Sequence, residues 1–153
     1  MTDGEPSDDV NTGLLLFIPY RAMEARVFRA LADAGFDDFT PAQARVFQRI
    51  SPDGSRLTDL AEQASITKQS AGFLVDQLQE AGYVERVPDP TDARARLIRI
   101  TPRGRQTLPL AASVVADVES EWSRHLGKRR MQQLRETLAM LREITDPYAP
   151  LSG

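Results

Sequence analysis

The chain has 153 residues, 41% of them hydrophobic, which is the size of one domain able to bury a core and too much for a tail or a linker. With no cysteine and one histidine, His125, it has neither a disulfide staple nor a thiol nucleophile, and no clustered set of soft ligands to hold a metal. The net charge of −3 argues at first sight against a nucleic-acid partner, while the lack of a bilayer-length apolar run and the acidic start MTDGEPSDD lead us to expect a cytoplasmic protein.

From Thr12 to Ala34 the residues Leu15, Leu16, Tyr20, Met23, Val27 and Leu31 recur at helical spacing, and Gly35 supplies the exit. Pro19 lies inside this run and predicts either a kink or a late start. Thr40-Pro41-Ala42-Gln43 is a capping box with proline at the first helical position, which predicts a second helix to about Arg49 burying Ala44, Phe47 and Ile50. Ser51-Pro52-Asp53-Gly54 reads as a turn.

Leu57, Leu60, Ala61 and Ala64 then give the narrow apolar stripe of a short helix. A further helix can lie close against it across the turn Ala64-Ser65-Ile66, since Ala61, Ala64 and Ala71 have almost no side chain. Thr67 is its expected N-cap, Ala71, Leu74 and Leu78 its inward stripe, and Gly82 its stop. On its other face Lys68, Gln69, Ser70, Gly72 and Phe73 gather in the N-terminal half, the part of a recognition helix that enters the major groove. Glutamine can pair bidentately with adenine, lysine can take guanine or phosphate, and an exposed phenyl ring can cover a thymine methyl. The solvated side of an ordinary core helix has a similar composition. Gly72 fits that reading less well, because a mid-helix glycine costs about 1 kcal/mol relative to alanine and asks for a reason such as close backbone approach.

Tyr83 to Val87 and Arg96 to Ile100 alternate as strands do, and Pro88 to Ala93 between them is rich in turn residues. From Arg86 to Arg105 this hairpin and its exit carry six arginines, at 86, 94, 96, 99, 103 and 105, against Asp89 and Asp92, a local balance of +4. The uniform view of charge therefore misleads: residues 1–55 carry nine acidic and five basic residues, whereas residues 56–105 carry seven and eight. Arg94 suits a narrow minor groove, with Asp92 placed to hold its guanidinium, and Arg96 and Arg99 suit phosphates or the hairpin itself. A solvated hairpin with surface ion pairs is the alternative, and direct attachment to the two packed helices favours the DNA reading.

Thr101-Pro102 opens a long helix with Leu108, Ala111, Val115, Val118 and Trp122 at alternating three- and four-residue steps, and Pro109 sits near its start. Gly127 breaks the chain, and Met131, Leu134, Leu138 and Leu141 mark a last helix. The stripes of the first and last helices are wider than one small core needs, which suggests a shared dimer core, although they would also serve to cover the back of a monomer.

Leu57-Thr58-Asp59-Leu60-Ala61, the helix exit Leu78 to Arg86, and above all Asp89-Pro90-Thr91-Asp92-Ala93-Arg94 followed by Ile100-Thr101-Pro102-Arg103-Gly104 resemble the MarR family of winged-helix bacterial transcription regulators. The resemblance runs from about Asn11 to Asp146. It implies a mainly α fold with a small β-hairpin wing, in which a winged helix-turn-helix lobe (40–101) is flanked by dimerisation helices (11–35 and 102–146) and flexible tails (1–10 and 147–153). It also implies an obligate homodimer on a pseudo-palindromic operator, usually a repressor, often released by a small aromatic or phenolic ligand. In the family that ligand lies where the dimerisation helices meet the DNA-binding lobe, which points to Phe17, Tyr20, Met23 and Phe47. The peroxide-sensing thiol that some members use is absent from this chain.

The favoured function is therefore a sequence-specific double-stranded DNA-binding regulator without cofactor or metal, using Thr67, Lys68, Gln69, Ser70 and Phe73 in the major groove and Arg94, Arg96 and Arg99 from the wing. A winged-helix protein-interaction module without operator specificity is the alternative. An enzyme fares worst, since neither a glycine-rich phosphate loop nor a Ser-His-Asp set is apparent.

Overall fold

The computed structural model describes residues 9–146 and 148, so most of the two expected tails lies outside the described residues. Its elements are α1 (Thr12–Asp33), α2 (Pro41–Phe47), α3 (Leu57–Gln63), α4 (Lys68–Glu80), β1 (Val84–Asp89), β2 (Asp92–Ile100), α5 (Pro102–Leu126) and α6 (Lys128–Thr145). This is the mainly helical architecture with a hairpin wing, and the N- and C-terminal helices are in contact through α1 and α5.

α1 begins at an Asn11 cap, whose side-chain oxygen accepts from the Leu14 N–H at 3.0 Å. The helix then runs continuously through Pro19, so the late-start expectation is corrected: a strong cap eight residues upstream sets the start, and the proline removes one backbone hydrogen bond within the helix. α2 has both bonds of the capping box between Thr40 and Gln43, but it ends at Phe47 rather than near Arg49. Val46 is its fully buried residue and Ala44 is only half-buried, while Ile50 is buried just beyond the helix.

α3 and α4 meet through Ser65, which takes the left-handed conformation at φ 56°. Thr67 caps α4 by accepting from the Ser70 N–H at 3.0 Å, and Gly82 at φ +85° ends it. The buried face of α4 is Ala71, Val75 and Leu78; Leu74 is half-buried, because the i, i+4, i+7 row rather than the i+3 position faces the core. That core also takes Phe36 and Phe39 from the α1–α2 loop, Leu60, Tyr83, Val84 and Ile98. Phe39 packs edge-on to Phe47 at 5.1 Å and to Tyr83 at 4.9 Å.

The wing is tighter than the six-residue turn expected from Pro88 to Ala93. β1 and β2 pair from Val84↔Ile100 out to Pro88↔Arg96, and a register shift at Pro88/Asp89 carries the ladder on to Asp89↔Asp92. Pro88 is tolerated because β1 is an edge strand and Pro88 stands two residues from Arg86, whose partner Ile98 gives its backbone bonds to Ser55, so Pro88 too falls at a position that owes the ladder no N–H. At the base, Ser55 joins Ile98 by two backbone bonds of 3.0 and 2.8 Å, so the residue before Arg56 is part of the sheet. α5 starts at a Thr101 cap and runs through Pro109 to Leu126, after which Gly127 at φ +89° turns the chain into α6. His125 is exposed in the last turn of α5.

Candidate nucleic-acid interface

α4 presents Lys68, Gln69, Ser70 and Phe73 to solvent, with Phe73 62% exposed, so the residues expected to read bases stand on one open face. Thr67 differs. Its hydroxyl caps the helix and also donates to the Ser70 Oγ at 2.9 Å, which occupies the Thr67 side chain locally and leaves the Ser70 hydroxyl its own proton to donate. Gly72 is not demanded by the packing of α3 on α4: a Cβ placed there would meet only Leu57 Cδ2, at an ordinary 3.6 Å.

The six arginines have separate duties. Arg86 donates to Gln79 at 2.6 Å and Asp76 at 2.7 Å, tying β1 to α4. Arg99 donates twice to Glu85, its cross-strand partner, at 3.0 and 2.6 Å, so it holds the hairpin. Arg103 lies over the rings of Tyr83 and Phe36, 4.8 and 5.2 Å from their centroids, and donates to the Ala81 carbonyl at 3.1 Å. Burial, with the hydroxyl's bond to Asp38 as a second cause, pushes the Tyr83 phenol up to about 12. Arg94, Arg96 and Arg105 are exposed and have no ion-pair partner among the described residues.

Asp92 acts differently from the expectation. Its carboxylate accepts from the Arg94 backbone N–H at 3.0 Å instead of gripping the guanidinium, a short Asx-type bond being available two residues on. The wing's other acid, Asp89, is buried and takes four hydrogen bonds: Oδ2 from Arg56 Nε and Nη2 at 3.0 and 2.7 Å, Oδ1 from the Thr91 N–H and hydroxyl at 2.8 and 2.7 Å. The Thr91 bonds first, and the Arg56 bonds after them, lower its carboxyl to about 2. Sequence reasoning gave Arg56 no role beyond its charge and took Asp89 only as a charge and as the head of the wing block that carries the resemblance, although the Asp-Pro-Thr order is itself an Asx-turn signal.

Arg56, Lys68, Arg86 and Arg96 border one cleft of about 390 Å³ between the start of α4 and the wing. A second cleft, of about 310 Å³, lies between α1, α2 and α5. Tyr20, Met23 and Phe47 line it, but Phe17 does not; that ring is 52% exposed with the Arg21 guanidinium 5.9 Å from its centroid. The cleft's polar lining includes Arg45, Gln48, Thr107 and the buried Glu24 carboxylate, missed in the sequence, which accepts from Tyr20 and Arg21 at 2.9 Å each. Burial first, then the bond to Glu24, raises the Tyr20 phenol.

A family model described as MarR family matches residues 37–95, from the α1–α2 loop through most of the wing. The HTH-type transcriptional regulator FarR of Neisseria gonorrhoeae is 27% identical over 140 residues, which is 90% of this chain and 91% of FarR. Another curated relative is matched over 60% of its own length. Among solved structures, that of MarR superposes with a TM-score of 0.73 at 25% identity, covering 89% of this chain and 98% of the other. The transcriptional repressor CouR, bound to a 23-mer DNA duplex, gives 0.67 at 26% identity, covering 92% and 97%.

Proposed function

The chain belongs to the MarR family of DNA-binding transcriptional regulators, and from that premise we propose that it is a cytoplasmic homodimeric repressor of a pseudo-palindromic operator, released by a small aromatic ligand. The observation that carries the operator reading is the basic cleft, where Lys68 at the start of α4 and Arg86 and Arg96 of the wing border one space, with Gln69, Ser70 and Phe73 exposed beside it on α4. Gln69, Ser70 and Phe73 read base edges in the major groove, Lys68 takes guanine or phosphate, Arg94 enters the minor groove and Arg96 takes a phosphate. Thr67 and Arg99 serve this arrangement by capping α4 and bracing the hairpin. Two copies set their α4 helices roughly 34 Å apart, one turn of DNA, so the operator mirrors their twofold symmetry.

The second cleft supports the release half of the reading. It joins α1 and α5 to α2 of the DNA-binding lobe, and a ligand there shifts the spacing of the two α4 helices by as much as its affinity differs between spacings.

The test is a fluorescence-anisotropy titration against the DNA upstream of the protein's own gene, at two salt concentrations, beside a random duplex. Binding should prefer the upstream duplex and weaken steeply with salt, and Arg94→Ala should cost about 1–3 kcal/mol of operator affinity. Weak, equal, salt-insensitive binding to both duplexes would favour a protein-interaction module instead.

A further inference from the structure

We propose that Arg56 and Asp89 form a clamp that sets the pose of the wing, making them positioning residues for the minor-groove contact of Arg94. The inference rests on the operator reading above. Arg56 is the N-cap residue of α3, and so belongs to the helix-turn-helix, while Asp89 sits at the bulge where β1 turns toward β2. Ser55 already fixes the base of β2 through Ile98, whose partner on β1 is Arg86. Asp89 lies three residues beyond Arg86, about 10 Å further along the strand. Two adjacent residues thus hold the hairpin at two heights, and a two-stranded ribbon pinned at two heights cannot swing about its base.

The clamp also reaches the turn itself. Four donors fill the oxygens of Asp89, the Thr91 N–H and hydroxyl among them, so the same carboxylate fixes both the strand end and the turn. Arg56 passes within 3.9 Å of Asp92 as well, and Asp92 accepts the Arg94 backbone N–H. The side chain of Arg94 therefore leaves from a backbone position set by the clamp while remaining free of any ion-pair partner among the described residues.

The opposite view is that Arg56 is one more cation for phosphate and Asp89 only a neighbouring negative charge. The two views predict opposite signs. Removing a carboxylate beside DNA should tighten binding by ordinary electrostatics, whereas breaking a clamp should loosen it.

The experiment uses the full chain and the tightest duplex recovered by selection from a random-sequence library, with thermal melting to confirm that each variant folds. Asp89→Asn should weaken binding by about tenfold, the usual worth of a single well-placed DNA contact. Arg56→Lys, which keeps the charge but cannot place two N–H groups on one oxygen, should weaken it similarly. Each change added to Arg94→Ala should cost little beyond Arg94→Ala alone, because all three act through one contact. Tighter or unchanged binding by Asp89→Asn, or full additivity with Arg94→Ala, overturns the clamp while leaving the operator reading intact. A wild-type protein that enriches no sequence overturns the operator reading, and the clamp with it.

Discussion

Phe73 places a large apolar ring in water, 62% exposed, between Gln69 and Asp76 on the outer side of α4. Scattered surface apolar residues are ordinary, but here the neighbours are the polar groups that suit base edges, and a thymine methyl offers the ring the burial the fold withholds. Replacing operator thymines one at a time with uracil removes only that methyl. At one position this should cost about 0.8 kcal/mol, the worth of one buried methyl, and the penalty should vanish in Phe73→Ala. Equal penalties in wild type and variant would assign the ring to backbone or to another protein. At this scale residue types and charges are legible in the sequence, but partners are not. Arg86, Arg99 and Arg103 each count as +1 in the chain, yet Asp76, Glu85 and a pair of aromatic rings already engage them. Asp92 was legible as an organiser of Arg94 because the pair is local, although the group it holds is the N–H.

At the scale of elements, two glycines inside helices separate a packing need from an open site. A Cβ on Gly104, in the first turn of α5, would overlap the Tyr83 carbonyl oxygen and stand 2.8 Å from Ile100 Cγ2, so α5 can dock on the exit of α4 and the wing only without a side chain there. Gly104→Ala should lower the unfolding free energy by about 1–3 kcal/mol, the usual range for overpacking, read from a denaturant titration. Gly72→Ala has room and should raise it by about 0.5–1 kcal/mol, the helix penalty removed. A stabilised Gly72→Ala that loses operator affinity would show that DNA needs the bare backbone, and one that keeps it would leave the glycine without a role in binding. Caps at Thr40 and Thr67, and the opening of α5 at Thr101-Pro102, were readable because a cap is a bond across three residues. The wing's two-residue turn was not. Pro88 and Pro90 look like breakers in one dimension, and only the pairing shows that the first of them falls at a position of β1 that owes no ladder bond.

The whole molecule leaves an apolar surface that one copy does not cover. Leu15, Leu16 and Ile18 on α1 are 58%, 45% and 56% exposed, and Leu138, Leu141 and Ile144 on α6 are 39%, 41% and 83% exposed. Leu15, Leu16, Leu134, Leu138 and Trp122 share one cleft of about 270 Å³ between α1, α5 and α6, so the two ends of the sequence meet in a single patch. The stripes were legible from periodicity, but their meeting was not, because the whole DNA-reading unit separates them in the chain. A patch of this kind suits an interaction surface, and under the proposed dimer a second copy in twofold register would bury it. Leu15→Asp places a charge in the patch without touching the core, since the native side chain already faces solvent within one copy. The variant should keep its helical circular dichroism, elute at half the wild-type mass, and bind a single half-site as well as the wild type does. Its affinity for the full operator should fall by about 10²–10⁴-fold, the gain that linking two sites provides. A variant that still elutes with the wild type would move the interface away from this patch. A wild type that elutes as a monomer and binds full and half operators equally would end the dimer reading and leave each wing and α4 acting alone.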